Sequence, residues 1–184
     1  MRAGNTPCTA NAQRSDLALR RVVRLVTEPL VIRPAVATDA AGISALIQTL
    51  VHHRSPNSIG PAPEEFVASF APRAIERYVE AGNYNYLVAV HLGQLVGVIG
   101  IRDNSQLVHL FVSESYQRRG IAGALWSRAR AAALANAPEV KIFVRSSVFA
   151  TQVYERFGFS ACGPRVDDRG VSYVPMCQVI RRDD

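Results

Sequence analysis

The 184-residue sequence predicts an α/β fold in which a mixed sheet carries helices on its faces, within one domain. Two features of the pattern point there. Apolar residues recur at helix spacing ahead of residue 55, whereas after Asn85 the period changes to short strand-like runs. Strand and helix segments then alternate, giving the order β-α-α-β-β-β-α-β-α-β. A chain of this length suits a single domain with a substantial core.

Residues 1–16 hold Gly, Asn, Thr, Ser and Pro without apolar periodicity, so 1–28 is expected to form a flexible or peripheral arm and 29–184 the domain. Within the arm, 17–26 fits either a helical stripe (Leu19, Val22, Val23, Val26) or an added strand. A strand is predicted at 30–33. Thr38 and Asp39 offer an N-cap, and Ile43, Leu46, Ile47, Leu50 and Val51 define a helix behind it. That helix ends in His52, His53 and Arg54, groups suited to a helix C-terminus. A Pro/Gly/Ser loop over 55–63 precedes a second helical region, with Phe66, Val67 and Phe70, then Ile75, Tyr78 and Val79, interrupted near Pro72. Strands follow at 86–91, 95–102 and 106–112, joined as hairpins through Leu92-Gly93-Gln94 and Asp103-Asn104-Ser105. A helix is expected over about 119–135, with Ile121, Leu125, Ala129 and Ala132 on one face. A strand at 140–144, a helix at 149–157 and a strand at 172–180 complete the chain.

Apolar residues make up 48% of the chain and charged ones 20%, ordinary for a soluble globular protein. No apolar run approaches the roughly 20 residues of a membrane span. The greasiest stretch, 87–101, is broken by His91, Gln94 and three glycines. The N-terminal region also lacks the compact apolar block of a signal peptide, so a cytoplasmic protein without membrane contact is expected. Cys8, Cys162 and Cys177 have no metal-ligand spacing and read as idle thiols in a reducing compartment. The net charge is +6, with Lys141 the single lysine among 21 basic residues. These charges are scattered rather than gathered on one element with aromatics, which argues against a nucleic-acid partner and suits a polyanionic small molecule.

The segment Ser-Glu-Ser-Tyr-Gln-Arg-Arg-Gly-Ile-Ala-Gly-Ala-Leu-Trp at 113–126 carries the strongest chemical signal. It hands a strand over to a helix through Gln117, Arg118, Arg119 and Gly120. The first N–H groups of a helix lack internal partners and sit at the positive end of the macrodipole, roughly +0.5 of a charge. Gly120 has no Cβ to hold an anion off the backbone, and Ala122 and Gly123 keep the next positions small. Neither a Walker loop nor a dinucleotide fingerprint is present.

Gln117-Arg118-Arg119-Gly120-Ile121-Ala122, after the strand His109-Leu110-Phe111-Val112, resembles the acyl-CoA signature Gln/Arg-x-x-Gly-x-Gly/Ala of the GNAT superfamily of acyl-CoA-dependent N-acyltransferases. A second segment, from Ser147 through Ala150 and Tyr154 to Gly158-Phe159, is similar to that family's Asn-x-x-Ala-x-x-x-Tyr-x-x-x-Gly-Phe, with Ser147 where asparagine is usual. The resemblance runs from about residue 30 to 180. It implies a GNAT fold, whose central, mostly antiparallel sheet is splayed between its fourth and fifth strands with helices on both faces. It implies acetyl-CoA as co-substrate, an amine as acceptor and no metal. Backbone N–H groups of Arg118, Arg119, Gly120, Ile121 and Ala122, behind Gln117, would hold the pyrophosphate. Leu110, Phe111 and Val112 would line the pantetheine arm, with free backbone groups of Leu110 and Val112 bonding its amides. Ser147 and Tyr154 would complete the donor site.

By the same resemblance Tyr154 stands at the acid position, where its hydroxyl donates to the departing CoA thiolate; Ser147 and Gln106 are further catalytic candidates. Gln106 falls where some relatives carry a catalytic glutamate, and an amide cannot take a proton. His109 has opposite strand parity to Gln106, so the two are expected on opposite faces, with His109 a packed or rim histidine. His52, His53, Glu64 and Glu65 lie on the expected acceptor side, and backbone carbonyls with ordered water are a further route for the proton. The favoured reading is acetyl transfer to a primary amine of a small molecule. Transfer to a protein lysine or N-terminus, and a non-catalytic acyl-CoA-binding regulatory module, are its alternatives. A homodimer through the last strand or the arm stays open.

Overall fold

A computed structural model describes residues 29–53, 64–135, 137–168 and 170–182. The arm expected at 1–28, the loop at 55–63 and Cys8 lie outside them. The first strand is β1 (Val31–Pro34), followed by a 3-10 turn (Ala37–Asp39) and α1 (Ala40–His53). Asp39 was expected as the N-cap of that helix. It stands instead at the end of the 3-10 turn, and its carboxylate reaches back to the Val36 N–H at 2.9 Å. Both Arg33 guanidinium arms bond the same carboxylate, at 2.6 and 2.9 Å. These hydrogen bonds from Arg33 hold the Asp39 carboxyl below its ordinary range and tie β1 to the start of α1.

The interrupted helical region resolves into α2 (Glu64–Ala68) and α3 (Pro72–Glu80), with Pro72 in the first turn of α3, where its missing N–H is harmless. The three expected strands follow as β2 (Tyr84–His91), β3 (Gln94–Arg102) and β4 (Gln106–Val112). The first hairpin closes through two residues, Leu92-Gly93, and the second through three, Asp103-Asn104-Ser105, with φ from 49° to 75° at Leu92, Gly93, Asp103 and Asn104. This left-handed turn geometry matches the twist of the flanking strands. After a 3-10 turn (Glu114–Tyr116) come α4 (Ile121–Ala133), β5 (Glu139–Ser146), a second 3-10 turn (Val148–Ala150) and α5 (Thr151–Arg156). Two short strands that the sequence pattern does not announce, β6 (Ser160–Ala161) and β7 (Val166–Asp168), precede β8 (Val171–Arg181). Among the described residues no helix is long and apolar enough to cross a membrane.

The eight-stranded sheet runs β1-β2-β3-β4-β5-β8-β6, with β7 also on β8. Every pairing is antiparallel except β4 with β5. Alternate residues feed two cores. Leu87, Ala89, Ile99 and Leu107 meet Ile121, Leu125 and Trp126 of α4 on one face. Tyr86, Val88 and Val98 meet Ile43 and Ile47 of α1 and Ile75 of α3 on the other. Helices therefore cover both faces, and each fully buried isoleucine contributes about 1.5–3 kcal/mol.

One irregularity changes which residues share a face. The β3–β4 register runs from Gly97↔Val112 to Gly100↔His109, then resumes at Ile101↔Leu107, so Val108 has no partner. An extra residue in one strand reverses the side-chain parity beyond it. Leu107 lies in the α4-side core, whereas both Val108 and Phe111 pack on the α1–α3 side. His109 joins them there, its ring 5.4 Å from that of Phe70. Gln106, one residue from Leu107, falls on the same α1–α3 side. The expectation that Gln106 and His109 face opposite ways is thus corrected by a β-bulge.

The register also aligns Tyr86, Gly100 and His109 across three strands. A Cβ at Gly100 would lie 2.6 Å from Tyr86 Cζ, so only glycine lets the tyrosine cross β3. Tyr86 Oη then comes within 2.7 Å of His109 Nδ1. Gly100→Ala should cost about 1–3 kcal/mol of stability through overpacking, measured by denaturant unfolding; an unchanged midpoint would show that Tyr86 moves aside freely.

Burial lowers the His109 imidazole from its ordinary 6.5 to about 4. Between those values the unfolded chain binds a proton that the folded one refuses, so stability drops as pH falls through this window. The full effect is about 3 kcal/mol below pH 4. His109→Gln should flatten that part of the stability–pH curve, and a mutant curve parallel to wild type would refute the assignment.

Candidate active site

Strands β4 and β5 stay together only at their lower ends. Phe143 N–H donates to the Ser105 carbonyl at 2.7 Å, and the pairing holds for Gln106↔Phe143 and Leu107↔Val144. From Val108 upward the strands have no further pairing, which opens a gap inside the sheet. Ser113 N–H donates to the Val96 carbonyl at 2.9 Å, which sets the alternation along β4. Phe111 and His109 direct their backbone groups to β3, and Leu110 and Val112 direct theirs into the gap. One of these groups is already engaged: the Gln117 side-chain amide donates to the Val112 carbonyl at 2.9 Å. Both backbone groups of Leu110 and the N–H of Val112 remain facing the opening.

Above the gap the chain turns sharply. The Glu114–Tyr116 turn is closed by Tyr116 N–H to Ser113 O at 2.9 Å, and Gln117 follows in extended conformation. Arg118 has φ 60° and Gly120 φ 80°. The left-handed region costs a residue with a side chain about 1–2 kcal/mol, so Arg118 is held there by its surroundings. The helix expected from residue 119 begins two residues later, at Ile121, because Gly120 is its left-handed N-cap. Its first internal bond runs from Ala124 N–H to Gly120 O at 3.0 Å. Among the described residues nothing accepts from the N–H groups of residues 118 to 123. They form a neutral concave donor set at the positive end of α4. A Cβ on Gly120 would meet no atom within 4 Å, so the space over the turn is open to a ligand. Arg118 and Arg119 are exposed at its rim, the Arg119 guanidinium 5.1 Å above the Tyr116 ring. Ile121 points into the core, and Ala122 is half-buried.

On the α4 side of the gap lies Tyr154 of α5, 7% exposed and in the same apolar cluster as Val112 and Leu110. Phe159 holds its ring edge-on at 5.6 Å. Burial raises the phenol well above its ordinary 10, so it stays protonated at any working pH. No described group bonds its hydroxyl. Ser147 is exposed at the head of the 3-10 turn (Val148–Ala150), and its hydroxyl makes no capping bond. Its carbonyl accepts from Ser146 Oγ at 2.8 Å and from Ala150 N–H at 2.9 Å.

On the α1–α3 side, Gln106 Oε1 accepts from Arg102 of β3. Glu64 and Glu65 are exposed in the first turn of α2, and the side chains of His52 and His53 lie outside the described residues. His109, expected as packing or rim, is 7% exposed and held by Tyr86, Phe70 and Phe111. Sequence reasoning missed Tyr86, Gly100 and Arg102 on this face. Their role depends on strand register, and no motif marks them.

Residues 45–179 match the acetyltransferase (GNAT) domain family. No functionally curated sequence is a significant match to the chain. Among solved structures, a GCN5-related N-acetyltransferase from Rhodopseudomonas palustris aligns at TM-score 0.68 and 18% identity, over 83% of this chain and 97% of that one. PaiA N-acetyltransferase from Thermoplasma acidophilum, solved with coenzyme A, aligns at 0.61 and 16%, over 81% and 98%. An aminoglycoside 6'-N-acetyltransferase, also solved with coenzyme A, aligns at 0.62 and 14%, over 84% and 99%. The family match takes in the parted strands, the turn at Gly120 and Tyr154 together: the chain is an acyltransferase and belongs to the GNAT acetyltransferases.

Proposed function

We propose that the protein transfers the acetyl group of acetyl-CoA to a primary amine of a small molecule, by direct attack and with Tyr154 as general acid. One observation carries the donor half. The unbonded N–H groups of residues 118 to 123 stand directly above the gap into which Leu110 and Val112 turn their free backbone groups. The first set suits a pyrophosphate. The second suits the two amides of a pantetheine arm, which would bond β4 as an added strand does. An extended chain running down from Gly120 ends where the strands rejoin, at Leu107↔Val144, and the thioester would sit there. Coenzyme A in the PaiA and aminoglycoside enzymes supports the same donor here, and the aminoglycoside acceptor supports a small-molecule amine.

The acceptor must reach the thioester unprotonated. An ordinary alkylammonium has a pKa of about 10.4, so neutralising it at pH 7 costs roughly 4.6 kcal/mol. Attack of the nitrogen on the acyl carbon then expels the thiolate. The Tyr154 hydroxyl, protonated and without a partner among the described residues, donates to the sulfur as charge develops there. Ser147 would contribute at the mouth of the donor site, and Gln106 would orient rather than deprotonate. The reading keeps the protein in the cytoplasm and leaves open whether it pairs as a homodimer.

Acetyl-CoA at about 100 times its Kd should stabilise the fold by about 2.7 kcal/mol and raise Tm by roughly 5–10 °C. Gly120→Asp, which adds a Cβ and a negative charge to the cradle, should abolish that rise without unfolding the protein. A preserved rise would place the pyrophosphate elsewhere. With an amine panel of polyamines, aminoglycosides, amino acids and peptides, thiol release identifies the acceptor class. Tyr154→Phe should lower kcat on the order of 100-fold at unchanged acetyl-CoA affinity; full turnover in that variant would remove Tyr154 from the acid role.

A further inference from the structure

We infer that His109, oriented by Tyr86 across Gly100, accepts the proton that the attacking amine loses. The inference rests on the acetyl-transfer reading above and names the base that the motifs leave unassigned.

Three observations place His109 in this role. First, it lies two residues beyond Leu107, the last β4 residue paired with β5, so it flanks the point where the strands part. Its pairing with Gly100 and its contact with Phe70 put its side chain on the α1–α3 side, opposite Tyr154. The gap is therefore flanked by one titratable group on each face. Second, its ring is held in place: Nδ1 is 2.7 Å from Tyr86 Oη, with Phe70 and Phe111 rings at 5.4 and 6.0 Å. Third, no described group bonds Nε2. When Nδ1–H donates to Tyr86 Oη, Nε2 carries the lone pair and is left as an acceptor.

The alternatives on the same strand do not serve. Gln106 has no basic atom and already accepts from Arg102. No other residue of Gln106–Val112 titrates. Among the described residues the ring partners of His109 are Tyr86 from β2, Phe70 from the turn between α2 and α3, and Phe111 from β4, all uncharged. Arg102, farther along β3 on the same face, is a cation already bonded to Gln106.

The amine nitrogen bonds the acyl carbon, the carbon–sulfur bond breaks, and the proton on nitrogen passes to Nε2 directly or through one water. Tyr154 donates its proton to the sulfur, giving CoA thiol, and the imidazolium proton returns to the phenolate through solvent. The net change is amine plus acetyl-CoA to amide plus CoA.

The test is thiol release by wild type, His109→Gln and Tyr86→Phe between pH 6 and 10, beside acetyl-CoA affinity and nitrogen NMR of the His109 ring. Wild type should show Nδ1 protonated and Nε2 bare at pH 7. His109→Gln should lose on the order of 100-fold in kcat at unchanged acetyl-CoA affinity, the deficit narrowing toward pH 10 as hydroxide takes the proton in place of the imidazole. Tyr86→Phe, which keeps the packing, should lose less and should mix the two tautomers. A protonated Nε2 in wild type, full turnover by His109→Gln, or equal loss of acetyl-CoA binding overturns the role of His109 alone. Wild type that binds acetyl-CoA yet acetylates no amine overturns the acetyl-transfer reading and this inference together.

Discussion

The parting of β4 from β5 is the constraint on which the rest of the molecule depends. Backbone N–H and C=O groups inside a sheet must be bonded, and a gap in mid-sheet leaves them short of partners. The surrounding structure is built to keep that gap open. β4 is fastened along β3 up to Gly97↔Val112, and β5 is fastened to β8 from Glu139↔Arg181 to Ser146↔Val174. Each strand has a full ladder on its outer side and can leave its inner side unsatisfied. The Gln117 amide covers the Val112 carbonyl, the uppermost of the exposed acceptors, and the other groups face the opening. A ligand with alternating amide donors and acceptors completes the sheet. An ordinary side chain would not.

The bulge at Val108 is the second determinant, and it acts on the first. Without it, strict alternation would put Gln106 and His109 on opposite faces of β4. With the extra residue, Gln106, Val108, His109 and Phe111 gather on the α1–α3 side. Bulges bend a strand and increase its twist, and this one lies where β4 turns away from β5. One inserted residue thus starts the gap and populates its acceptor side. Gly100 directly opposite His109 leaves room for Tyr86 to cross, so three neighbouring strands contribute one residue each to the arrangement.

This division explains what could be read from the sequence and what could not. The donor cradle is made of backbone, and its requirements are local: a glycine where φ is positive, small residues after it, a strand before and a helix behind. Gln117 to Ala122 display all of these within six positions, so they were legible. The left-handed Arg118 and the later start of α4 were not, because an arginine carries no signal of φ 60°. The acceptor side is made of side chains whose direction depends on register. Parity counted along Gln106–Val112 fails at the first bulge, and nothing in Leu-Val-His announces one. β6 and β7 escaped for a different reason: two or three residues are too few for a period.

The chemistry of Tyr154 follows from the same apolar surroundings. An ordinary phenol, near 10, is a weaker acid than an ordinary thiol, near 8.5, so complete transfer to a thiolate runs uphill in water. Burial raises the phenol further. In the proposed reaction the thiolate would form against the same cluster of Val112, Leu110 and Phe159, where desolvation would penalise its charge as well. The two acidities therefore rise together, and a hydrogen bond from Tyr154 strengthens as sulfur charge grows. A buried neutral phenol lies on one face of the gap and a buried neutral imidazole on the other. In the proposed reaction each would respond only as the amine gains positive charge and the sulfur gains negative charge.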